Sequence, residues 1–216
     1  MAAWLDMKTA SRSTDHLVFL PGAGGSADFW RPVGERLPFS GAKIYLSWPG
    51  LGDEPRDPAF MGFEDAIGRT LDAIGEGNAG ICAQSMGGLI ALAATLRRPG
   101  DVRALVLVAT SGGVDAAREA SRLHDWRSEY RDLFPNADPW ITEERTDLTS
   151  RLGEITCPVL LVFGGADPIA PPFVGERLAE LLPNCELRVL DGAGHDLVLE
   201  RHDDLLPMIA RHFGGT

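Results

Sequence analysis

The chain has 216 residues, a formal charge of −11 and 44% hydrophobic content, which suits one sizeable core and leaves no room for a second independent domain. Its acidic balance repels phosphate backbones, so nucleic acid is not an expected partner. The longest apolar runs are strand-sized and Met1 to Asp6 offer neither a basic start nor an extended apolar stretch, so neither a membrane span nor a signal peptide is expected and the chain is read as cytoplasmic.

In chain order, residues 17–20 form a continuous apolar run, as in a strand covered on both faces. The glycine-rich stretch Pro21-Gly22-Ala23-Gly24-Gly25-Ser26 follows. It lacks a Lys-Ser or Lys-Thr and the G-x-G-x-x-G spacing, so nucleotide binding is rejected. Pro32 suits the first turn of a helix reaching about residue 37. A strand is predicted over 44–48, ended by Pro49-Gly50-Leu51-Gly52-Asp53. From Phe63, apolar residues recur at helical spacing until Gly75. A strand over 79–83 leads into Gln84-Ser85-Met86-Gly87-Gly88, then a buried helix closed by Arg97-Arg98-Pro99-Gly100. Further strands are predicted over 104–109, 159–163 and 186–190, and helices over 173–182 and 205–213. The alternation predicts an α/β architecture: a mostly parallel sheet of about six to seven strands with helices on both faces.

Three loops past strands carry reactive side chains. Ser85 sits between an apolar run and a helix, with the small residues Ala83 and Gly87 two places to either side. A sharp strand-to-helix turn brings those neighbours almost into contact, so large side chains would clash there. Asp167 follows the run over 159–163 in Gly164-Gly165-Ala166-Asp167-Pro168, and His195 follows that over 186–190 in Asp191-Gly192-Ala193-Gly194-His195-Asp196. Parallel sheets gather their reactive groups at such strand ends. The remaining histidines, His16, His124, His202 and His212, are read as surface or packing residues. Cys82, Cys157 and Cys185 are odd in number, lack metal-ligand spacing and are read as buried reduced thiols.

With Leu20-Pro21-Gly22-Ala23-Gly24-Gly25-Ser26 upstream, these motifs resemble the α/β-hydrolase family across nearly the whole chain, from about His16 to Phe213. Many relatives open the first loop with His-Gly where this chain has Pro21-Gly22. Pro21 cannot make the hydrogen bonds of an imidazole, which leaves the bracing of that loop to be explained. The resemblance implies one domain over 1–216 with Ser85, Asp167 and His195 as a triad. Ser85 would be the nucleophile, His195 its general base and Asp167 the group that orients the imidazole. It also implies an oxyanion hole from the N–H of Met86 and one from the first loop, with Ala23 the first choice and Gly22 the next.

In the family a cap follows the strand over 104–109, and the strand-helix alternation breaks between about 112 and 149. Leu123, Trp126, Tyr130 and Phe134 line up near helical spacing there, with Trp140 and Ile141 beyond. An aromatic underside facing Ser85 is expected, with Trp126, Tyr130, Phe134 and Trp140 lining the pocket. Arg118, Arg122, Arg127 and Arg131 alternate with Asp125, Glu129 and Asp132 and are read as a solvated helix face. The segment before His16 has room for one short edge strand.

The expected activity is hydrolysis of carboxylic esters with small or medium acyl groups, without metal or organic cofactor, by a monomer or homodimer. The same residues would serve a C–C bond hydrolase, a thioesterase, a lyase or a slow-turnover small-molecule receptor. Peptidase action lacks a feature marking an amine site.

Overall fold

The computed structural model describes residues 14–214, so the edge strand expected before His16 lies outside the described residues. Six parallel strands form one sheet: β1 His16–Leu20, β2 Ala42–Tyr45, β3 Ala79–Gln84, β4 Val102–Val108, β5 Val159–Gly164 and β6 Cys185–Leu190, in the order β2-β1-β3-β4-β5-β6. Every residue of β3 and β5 is buried, whereas the edge strands β2 and β6 are half-buried and carry Lys43, Glu186 and Arg188. Continuous apolar runs occupy the middle because a parallel strand is covered on both faces; mixed runs fall to the edges.

The helices are α1 Arg31–Gly34, α2 Phe63–Ile74, α3 Met86–Arg97, α4 Asp115–Leu123, α5 Trp126–Leu133, α6 Trp140–Glu143, α7 Pro172–Leu181, α8 Leu197–Glu200 and α9 His202–His212. They flank the sheet in two groups, α2 against α3 and α1 against α8 and α9, while α7 packs on β5 and β6. β1 lies between β2 and β3, so the connections leaving β1 and β3 diverge to opposite sides. That divergence opens a crevice at their carboxyl ends. Register places Leu20 beside Ala83, and Gln84 beside Val108, so the loops after β1, β3 and β4 start at one level.

The helix predicted to about residue 37 ends at Gly34 and that predicted over 205–213 is His202–His212; two further departures from the sequence reading bear on the site. The strand predicted over 44–48 is Ala42–Tyr45. Trp48 is fully buried beyond its end, with its indole N–H donating to the Pro21 carbonyl at 2.9 Å. Its apolar character anchors a loop rather than extending a strand. The aromatic run of 123–134 is split by a break at His124-Asp125 into α4 and α5, and Leu123 is exposed. Asp125 caps α5 by accepting from the Ser128 N–H at 3.2 Å, which starts a new helix at that point. Of the cysteines only Cys82 is fully buried; Cys157 and Cys185 are half-buried, and all three are free thiols.

Candidate active site

Ser85 stands at the turn between β3 and α3 with φ 52° and ψ −120°, a conformation that non-glycine residues rarely hold. The turn is fixed from three sides. The Ser85 N–H donates to the Val108 carbonyl at 2.9 Å, while the Ser85 carbonyl accepts the Thr110 hydroxyl at 2.6 Å and the Gly88 N–H at 3.0 Å. A Cβ at Gly87 would meet the Pro21 carbonyl oxygen at 2.5 Å, which is why the position two past the serine carries no side chain.

The loops after β5 and β6 are tied by backbone bonds from Gly165 to the Leu190 carbonyl at 2.8 Å and from Ala166 to the Ala193 carbonyl at 2.9 Å. Any side chain at Gly164 would collide with the carbonyls of Ala193 and Gly194, so the close approach depends on that glycine. This contact brings Asp167 to His195. The Asp167 side chain is buried: Oδ1 accepts the N–H groups of Ile169 at 2.8 Å and Ala170 at 3.0 Å, and Oδ2 accepts His195 Nδ1 at 2.8 Å. With Nδ1 as donor, Nε2 is left as an acceptor, and it lies 3.1 Å from Ser85 Oγ. The arrangement can carry a proton from the hydroxyl to the imidazole while a fixed carboxylate stabilises the imidazolium.

The loop after β1 is braced without an imidazole. The buried indoles of Trp30 and Trp48 donate to the carbonyls of Leu20 and Pro21, each at 2.9 Å. The Gly25 N–H donates to the Gly22 carbonyl at 3.1 Å, and because a trans peptide points its N–H opposite its carbonyl, this bond also aims the Ala23 N–H. The N–H groups of Ala23 and Met86 have no acceptor among the described residues, and both residues line the same cavity as Ser85. A Cβ at Gly22 would come within 2.9 Å of Ser85 Cβ, so only glycine lets this loop approach the hydroxyl.

Residues 17–207 match the model of the alpha/beta hydrolase family. The chain belongs to that family. It is similar to a pimeloyl-(acyl-carrier protein) methyl ester esterase of Neisseria meningitidis, with 27% identity and 96% of each chain covered. Among solved structures it resembles an esterase from Exiguobacterium antarcticum, with a TM-score of 0.74, 19% identity, and 93% of this chain and 92% of that one covered. A hydrolase from Oleispira antarctica superposes with a TM-score of 0.73, 19% identity, and 95% and 93% covered. At such identities the structural likeness is one of fold.

In this alpha/beta hydrolase a cavity of about 690 Å³ opens over Ser85 and His195 beneath α4, α5 and α6. Trp126, Tyr130 and Phe134 line it; Trp140 does not. Trp140 instead packs on Phe60, with ring centroids 6.0 Å apart, and lies against Gly62, where a Cβ would stand 3.3 Å from it. It fastens this region to the segment before α2 and is withdrawn from the pocket. Tyr130 does more than line the wall. Its hydroxyl donates to the Ala23 carbonyl at 2.9 Å and accepts the Gly52 N–H at 3.0 Å, joining α5 to the loop after β1.

Sequence reasoning missed Trp30, Trp48 and the Tyr130 hydroxyl as supports of the site. The available signal was chemical: a buried indole or phenol needs a partner for its polar end, and the loop carbonyls next to a proline are natural acceptors. The other histidines stay outside the cavity, with His16 near the Ala73 carbonyl at 3.1 Å, His124 on Glu129 at 3.0 Å and His202 on the Leu199 carbonyl at 3.0 Å. Among the described residues, no group of three or more His, Cys, Asp and Glu side chains is placed to hold a metal ion. No helix described is long and apolar enough to cross a membrane.

Proposed function

We propose that this chain hydrolyses carboxylic esters of small or medium acyl groups through an acyl-enzyme formed on Ser85. The observation that carries the reading is the continuous hydrogen-bonded series Asp167, His195, Ser85, at 2.8 Å and 3.1 Å, opening into a cavity of about 690 Å³. Its fully buried carboxylate has no use as a surface charge, and its strained serine has no packing role.

In the proposed reaction Ser85 Oγ attacks the ester carbonyl as its proton passes to His195 Nε2. Negative charge gathers on the carbonyl oxygen, where the unengaged N–H groups of Met86 and Ala23 receive it, with Gly22 shaping the loop. One such donor contributes about 3 kcal/mol to transition-state stabilisation. The imidazolium then returns its proton to the departing alkoxide. Water repeats the sequence on the acyl-serine and frees the acid. Asp167 holds the ring in the tautomer that accepts at Nε2 and keeps its own charge throughout. Trp126, Tyr130 and Phe134 supply the apolar wall against which the acyl group packs.

The chemistry needs no cofactor. The Neisseria relative's name, a methyl ester esterase, supports the choice of ester as substrate class. We include in the reading a single domain over 1–216 with 112–149 as its cap, a cytoplasmic monomer or homodimer, and no nucleic-acid partner. The test is a chromogenic short-chain ester: many turnovers per chain are expected, whereas one burst followed by a long-lived adduct would make the molecule a receptor of the same fold.

A further inference from the structure

The arginines between β4 and β5 do not form one solvated face. Arg118 pairs with Asp147 at 2.8 Å, and Arg122 with Glu119 at 3.1 Å. Arg127 and Arg145 have no carboxylate partner among the described residues, and both line the cavity that holds Ser85. They converge on one atom, the Thr142 carbonyl oxygen, which accepts Arg127 Nε at 3.1 Å and Arg145 Nη1 at 2.8 Å. Arg127 is further fixed by the Ser121 hydroxyl at 3.0 Å and by stacking over the Trp126 ring at 4.5 Å.

Two like charges are thus held side by side at the cavity wall, Arg127 half-buried and Arg145 exposed. Burial first, then the charge of Arg145, pulls the Arg127 guanidinium below its ordinary value. Of the nearby acids, Asp125 offsets this only in part, while it caps α5. Glu144 accepts the backbone N–H groups of Arg145 at 2.8 Å and Thr146 at 2.6 Å, Glu129 holds His124 at 3.0 Å, and Asp196 belongs to the His195 loop. An anion placed between the two guanidinium groups would remove their repulsion and use the donors left free by the Thr142 and Glu144 carbonyls and the Ser121 hydroxyl.

Resting on the ester-hydrolase reading, we propose that Arg127 and Arg145 form a subsite for an oxyanion at the far end of the substrate, so that preferred substrates are esters also bearing a carboxylate or phosphate group. The apolar stretch between the two ends would lie along Trp126 and Phe134, and the ester would lie at Ser85. The negative molecule as a whole disfavours anions, so selectivity rests on these two side chains.

The test compares 4-nitrophenyl hexanoate and octanoate with the 4-nitrophenyl monoesters of adipic and suberic acid and with ω-phosphate analogues. At one chain length kcat/KM for an anionic ester should exceed that of its neutral counterpart by at least about tenfold, and the better head group names the anion. Arg127→Gln and Arg145→Gln should each collapse that ratio toward one, while Arg122→Gln, on a paired exposed arginine, should leave it in place. A wild-type ratio near one, or a ratio untouched by both variants, overturns the subsite. Calorimetry with the Ser85→Ala variant and monomethyl adipate or suberate separates the two readings. Binding at least about tenfold weaker after Arg145→Gln is expected even if no ester is turned over, and equal binding defeats the subsite whatever the activity.

Discussion

Ser85 holds a backbone conformation that costs a non-glycine residue about 1–3 kcal/mol, and the surroundings must fix it. The Val108 carbonyl, the Thr110 hydroxyl and the absence of side chains at Gly22 and Gly87 do so. In the proposed mechanism the hydroxyl, the imidazole and the carboxylate act as one unit. Ser85→Ala and His195→Ala should therefore each lower kcat by about 10⁴-fold or more, and the double variant should lose little beyond either. Melting temperatures should stay close to wild type, because neither change opens a large cavity. Steady-state kinetics with calorimetric melting checks this, and substantial activity in Ser85→Ala would reassign the nucleophile. Serine, acid and histidine were legible in the sequence because each follows an apolar run on a glycine-rich loop, in an order that parallel strands bring to one edge. Trp30 and Trp48 were not, because an indole that serves a loop carbonyl looks, in sequence, like any apolar core residue.

At the scale of elements, the join between α5 and the loop after β1 gives α5 a part in shaping the site. Tyr130 bridges the Ala23 carbonyl and the Gly52 N–H, so Tyr130→Phe leaves both without that partner while keeping the ring. An unsatisfied buried polar group costs about 1–3 kcal/mol. The expected result is a fall in kcat of about tenfold or more from a loosened Ala23 N–H, with KM changed less and the melting temperature lowered by a few degrees. Equal kcat in the two proteins would detach α5 from the function proposed for the loop after β1. The same region shows where periodicity misleads. Residues 123 to 134 fit one helical stripe on paper, yet Asp125 accepts the Ser128 N–H and begins a second helix. Trp140, aromatic like its neighbours, turns to Phe60. Central strands were legible from continuous apolar runs, whereas β2 at the edge was displaced because its pattern is mixed and Trp48 beyond it is buried for another purpose.

For the whole molecule, acid should erode stability in two windows. The His212 ring is enclosed at Nε2 without a partner, beside Leu160, Glu186, Met208 and Arg211, and burial lowers its affinity for a proton below the ordinary value of 6.5. The unfolded chain then binds that proton at higher pH than the folded one. Stability is full above the unfolded value and falls as pH drops through it toward the folded value. Asp115, held low by Arg177, and Asp57, held low by the Ala59 N–H and Arg69, act in the same direction below 3.8. Melting temperature should be level between about pH 7 and 8, below the range where the buried thiols matter, fall between pH 7 and 5, and fall again below pH 4; His212→Gln should flatten the first step. A wild-type profile level down to pH 5 would contradict the role given to His212.

The central claim is that three distant residues make one hydroxyl reactive, and covalent capture tests it most directly. Treating the native protein with a fluorophosphonate and mapping the adduct by peptide mass spectrometry should find one label per chain, on Ser85, absent from Ser85→Ala and strongly slowed in His195→Ala. A label on any other residue, or none on protein that still turns over ester, would contradict the account.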